Sequence, residues 1–137
     1  MDTKVFESML SYKRKVNLPP INVVVDELTP CLTHRLSLEN YDTHVDLFNE
    51  SDLQQVCDWQ FQWDMFFRNV EFQNAEVFKL LIKGQHRIEG LISLEPDDNF
   101  IFVHLVESAP WNVGSDMQEF IGVGAHLFAF ACKKVLN

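Results

Sequence analysis

Gly122-Val123-Gly124 stands immediately before an apolar run that carries the chain to Asn137 (FIGVGAHLFAFACKKVLN from Phe120). Glycine has no Cβ, so successive backbone N–H groups of such a turn can face outward, and the positive end of a following helix adds to their pull on an anion. That is the chemistry of a pyrophosphate cradle. It is also the chemistry of a tight packing turn, and G-x-G alone does not separate the two. Upstream, His104 and Glu107 are the titratable groups of FIFVHLVESAP. Glu107 reads as a candidate general base or as a carboxylate solvated at a strand end. Strand alternation puts His104 on the opposite face, so it reads as a satisfied, partly buried histidine. His126 falls in the first turn of the closing helix, where the dipole disfavours an imidazolium, and reads as a surface residue. Cys31, Cys57 and Cys132 are odd in number and lack C-x-x-C spacing. Neither a disulfide framework nor a metal site is expected from them, and Cys132, deep in an apolar helix, reads as core.

These groups need elements to position them. Residues 1–20 are polar and end in Leu18-Pro19-Pro20, which reads as an arm or linker. Ile21 to Leu38 contains a first strand, with INVVVDEL β-branched and CLTHRLSL alternating. Ser51, with Gln54 three residues on, has capping-box spacing, and the apolar residues that follow predict a helix from about Ser51 to Arg68. Its Trp59, Trp63, Phe66 and Phe67 read as core or as the lining of a pocket. VFKLLI (77–82), RIEGLISL (87–94) and FIFVHLV (100–106) are short apolar runs split by Lys83-Gly84-Gln85 and Glu95-Pro96-Asp97-Asp98-Asn99, an antiparallel meander. Gly90 inside the second run marks a bulge or a close approach. A polar loop, Trp111 to Glu119, then leads to the glycine turn and a helix from about Gly122, whose Lys133 and Lys134 oppose its dipole.

At 137 residues, with 47% apolar and 12% aromatic residues, residues 21–137 fit one globular domain. A net charge of -9 argues against nucleic acid, whose affinity comes from neutralised phosphates. The N-terminus has no apolar signal region and no stretch reaches membrane-spanning length, so a cytoplasmic protein with no membrane partner is expected.

The segments GLISL (90–94), FVHLVESAP (102–110) and GVGAHLFAFAC (122–132) together resemble the central part of a GNAT-superfamily N-acetyltransferase, and DWQFQW (58–63) is similar to a helix of an uncharacterised bacterial branch of it. The resemblance runs from about Cys31 to Asn137. It implies an α/β (α+β) fold: a mixed, mostly antiparallel sheet flanked by helices, here ending after the helix that follows the glycine turn. It implies that the amides of Gly122, Val123, Gly124 and Ala125 grip the pyrophosphate of acetyl-CoA. Val106, Glu107 and Ser108 would hydrogen-bond the pantetheine arm as an added strand. An amine would then attack the thioester, with Glu107 the candidate base. The family pattern Q/R-x-x-G-x-G/A has Glu119 in its first position here, and the loop 115–119 holds two acids and no base. A carboxylate at that place opposes a pyrophosphate.

Two functions follow as expectations. The first is an acetyl-CoA-dependent N-acyltransferase acting on an unknown amine. The alternative is a catalytically inactive binding or dimerisation module, in which a homodimer completes a sheet that would otherwise end in an open edge.

Overall fold

The computed structural model describes residues 31–114 and 116–136. The arm at 1–20 and the INVVVDEL run therefore lie outside the described residues. The fold is a mixed α+β arrangement built on a six-stranded antiparallel sheet: β1 (Cys31–His34), β2 (Asn40–Leu47), β3 (Glu76–Ile82), β4 (Ile88–Asp97), β5 (Phe100–Ser108) and β6 (Phe120–Ile121), ordered β5-β4-β3-β2-β1-β6. The meander read from the apolar runs is β3-β4-β5. Two strands escaped the sequence. β2 is NYDTHVDL, polar at most positions, because one face meets solvent while Tyr41 and Val45 pack on the core. β6 is two residues long, too short for any period.

A 14-residue helix, α2 (Val123–Leu136), follows β6 and packs on β4 and β5, so the sheet curls around it. β6 itself pairs with β1 at the far end of the strand order, Thr33 opposite Ile121. Alternation then sorts two cores. Phe78, Leu80 and Ile82 of β3 point at Val123, Leu127 and Ala131 of α2, whereas Val77 and Leu81 point the other way. On that second face lie Phe48, Val56, Trp59, Trp63 and Phe66. Each fully buried aliphatic or aromatic chain there adds roughly 2 kcal/mol.

That second layer is not the single helix predicted from Ser51 to Arg68. It is a 3-10 helix (Glu50–Val56), an irregular stretch, a four-residue helix α1 (Met65–Arg68) and a 3-10 turn (Val70–Phe72). The reason is a buried carboxylate. Glu107 takes the backbone N–H groups of Gln60 and Phe61, at 2.8 and 3.2 Å, which a continuous helix would have turned onto its own carbonyls. The start is also shifted from the Ser51–Gln54 spacing, since Asp52 accepts the Asn49 amide at 2.8 Å and pairs with Lys79 at 2.9 Å.

Candidate functional site

Gly122 opens the turn at φ +85, a left-handed conformation that suits glycine, and α2 begins at the next residue. His126 donates its amide to the Gly122 carbonyl at 2.9 Å, closing the first helical turn. The amides of Val123, Gly124 and Ala125 precede any helical acceptor, and among the described residues they donate to no group of the chain. Gly124 is not demanded by packing, because an added Cβ there meets nothing within 4 Å. The space beside the Gly124 Cα is therefore open.

Gly90 does the opposite. A Cβ there would stand 2.6 Å from Val123 Cγ1, 3.0 Å from Leu127 Cδ1 and 3.3 Å from the Glu107 carbonyl oxygen. Gly90 pairs with Ser108, and the β3–β4 ladder slips beside it, leaving Glu89 with no residue opposite on β3. Both readings of Gly90, bulge and close approach, hold at once. Its bare Cα lets the first turn of α2 sit on the end of β5. The two halves of the expected site, Val106 to Ser108 and Gly122 to Ala125, therefore meet at one residue. β5 is also an outermost strand of the sheet, with no strand beyond it among the described residues.

Glu107 is not a solvated carboxylate. It is 9% exposed and accepts the Gln60 amide on Oε2 and both the Phe61 amide and Trp63 Nε1 on Oε1, the last at 2.8 Å. Of about four lone-pair positions on a carboxylate, three are taken. The expected opposition of His104 and Glu107 also fails. Val103 faces Leu94 and Leu105 faces Ser93, so His104 is an extra residue in the β5 ladder, and the bulge resets the alternation. Val103 and Val106 thus point into the α2 core, while the His104 ring lies against Phe72, at 5.3 Å between centroids, on the same side as Leu105 and Trp63. His104 bonds Glu95 at 3.0 Å.

The loop before the turn departs most from the linear reading. Glu119 is paired with Arg87 at 3.1 Å, and Arg87 also bonds the wholly buried Glu89 at 2.8 Å and lies over the Trp111 ring at 4.6 Å. Burial works against the Arg87 charge, yet hydrogen bonds and charge from Glu89 and Glu119 outweigh it and raise its pKa. Trp111 Nε1 and Asn112 Nδ2 each donate to Glu89 at 2.9 Å, and Asn112 Oδ1 accepts the Phe120 amide. A second arginine, Arg35, donates Nε to the Gln118 carbonyl at 2.7 Å and its amide to that of Glu119 at 2.9 Å. The bases missing from 115–119 come from the β3–β4 turn, just before β4, and from the β1–β2 turn. Only their place in the fold, not their place in the sequence, marks them.

His126 is half-buried, not a surface residue, with Nε2 2.9 Å from Thr43 Oγ1 on β2. Burial, and then the positive charge of Lys133, lower its pKa. Trp59, Trp63 and Phe66 are buried in the second core, and Phe67 stacks on Phe48 at 5.9 Å. Trp63 also lines a cavity of about 350 Å³ with Val56, Cys57, Phe61 and Asp64. Among the described residues no helix is long and apolar enough to cross a membrane. The chain matches no protein-family model, no curated protein and no solved structure.

Proposed function

We propose that the chain is a GNAT-like domain that binds acetyl-CoA and transfers the acetyl group to an amine. The observation that carries the reading is the open start of α2 lying against the end of β5. Three amides with no acceptor among the described residues and a helix dipole suit a pyrophosphate, and a Cβ at Gly124 would meet nothing within 4 Å. The outer edge of β5 suits an extended amide-bearing arm as an added strand. In the transfer the amine nitrogen bonds to the thioester carbon, the C–S bond breaks, and the thiolate takes up the proton that the amine gives away. The lone pair left on Glu107 Oε2 is the candidate relay, taking that proton from the amine before it passes to the thiolate. Three cysteines without a disulfide fit a reducing, cytoplasmic setting.

Calorimetric titration with CoA and acetyl-CoA tests binding. Heat is expected with the native chain and its loss with Gly124→Trp, whose Cβ would meet nothing within 4 Å. No heat at millimolar ligand overturns the reading, and binding retained in Gly124→Trp moves the cradle elsewhere.

One observation favours the second reading, a module that binds without catalysing: the donors that fill most of Glu107. In that form the β5 edge of one copy would complete the sheet of another. Binding of acetyl-CoA with no thiol released in the presence of amines supports it. A monomeric mass by light scattering at tens of micromolar removes the dimer.

A further inference from the structure

Arg35 differs from Arg87 in what its charge meets. Arg87 is committed to Glu89 and Glu119, whereas among the described residues no carboxylate lies within ion-pair distance of Arg35. Its Nε is held by the Gln118 carbonyl, and no acceptor within the described chain takes its terminal nitrogens. Arg35 is half-buried, and its Nε is held on the loop that runs into β6 and the glycine turn. A guanidinium keeps its charge at any working pH and offers paired donors that match phosphate oxygens. With Arg87 committed to Glu89 and Glu119, the uncommitted positive charge beside this loop, among the described residues, is that of Arg35.

We propose that Arg35 is a specificity residue for the phosphorylated end of the ligand. It takes a phosphate of the nucleotide portion, supplying from the β1–β2 turn the positive charge that the sequence 115–119 lacks. The inference rests on the acetyl-CoA reading. The phosphate is either the pyrophosphate or the ribose 3′-phosphate, and ligand analogues separate them.

The experiment is titration of the full chain with CoA, 3′-dephospho-CoA and pantetheine, at low and at raised NaCl, for wild type, Arg35→Gln and Arg35→Lys. Glutamine can still donate to the Gln118 carbonyl, so the turn keeps its anchor. Losing one charge near a solvated phosphate weakens CoA binding by about fivefold in Arg35→Gln. The loss shrinks as salt screens the site, pantetheine affinity stays unchanged, and Arg35→Lys recovers most of the affinity. A loss confined to CoA assigns the 3′-phosphate, and a loss shared with 3′-dephospho-CoA assigns the pyrophosphate; both support the proposal. Equal CoA affinity in Arg35→Gln and wild type overturns it, as does a loss shared by pantetheine or insensitive to salt, which would mark a structural role. A wild-type chain that binds none of the three ligands overturns the acetyl-CoA reading and this inference together, a result distinct from those because it needs no variant.

Discussion

Glu89 and Glu107 are both buried carboxylates at the same end of the sheet, on neighbouring strands, yet they are satisfied by opposite means. Glu89 has a counter-ion: Arg87 bonds it, and Trp111 and Asn112 complete its shell. Among the described residues Glu107 has no cation in its shell, only two backbone amides and an indole N–H. Each acid draws in one irregular segment, Glu89 the loop that leads to β6 and Glu107 the stretch 60–63. A buried carboxylate costs too much to leave unsatisfied, so the chain around it gives up regular structure to supply donors. Gly90 stands between the two, opposite Ser108 and under Val123.

Removing the counter-ion separates the two designs most sharply. Arg87→Met leaves Glu89 at 0% exposure without its cation, and stability falls by about 3 kcal/mol, the low end for a stranded buried charge because Trp111 and Asn112 still donate. Denaturant unfolding measures the loss, and a fall below 1 kcal/mol would mean that the cation is dispensable. Glu107→Gln is the counterpart. The amide offers one acceptor oxygen and an NH2 group, so at least one of the three N–H groups faces a donor, at a cost of about 2 kcal/mol. The near-ultraviolet signal of Trp63 should change with it. An unchanged signal and midpoint would show that the donors do not need the charge.

Gly90→Ala tests the residue between the acids. Its methyl would overlap Val123 Cγ1 at 2.6 Å, and overpacking of this kind costs about 2 kcal/mol. Val123→Ala in the same chain removes that atom and should return part of the loss, a coupling readable in a double-mutant cycle. Additive losses would mean that α2 does not press on β4 where Gly90 admits it.

The same contrast explains what the sequence disclosed. The β3-β4-β5 meander, the glycine turn and the final helix were legible because period and turn chemistry are local. Gly90 was legible because a glycine inside an apolar strand needs a reason. The helix over 51–68 was not, since its unwinding is dictated by Glu107, some 44 residues from Trp63. Alternation failed at His104 because the bulge in β5 is a two-strand property, set by the register with Leu94 and Ser93. Glu119 looked like an uncompensated acid because Arg87 and Arg35 reach its loop only through the curl of the sheet.

His126 supplies the smallest effect and a third way of burying a titratable group. Among the described residues it has neither a counter-ion nor a shell of several hydrogen-bond partners, only Thr43 on β2, with Lys133 on its own helix adding positive charge. Its pKa in the folded chain is accordingly lowered from the ordinary value near 6.5. Between that lowered value and about 6.5 the unfolded chain binds the proton and the folded chain does not, so stability rises with pH through this window and is lost as pH falls through it. Above about 6.5 the ring is neutral in both states and contributes no pH dependence. Melting temperatures of wild type and His126→Gln, compared from pH 5 to 8, should therefore diverge only at the acid end, with the variant losing less. A parallel pair of curves would place the ring in water, against the Thr43 contact.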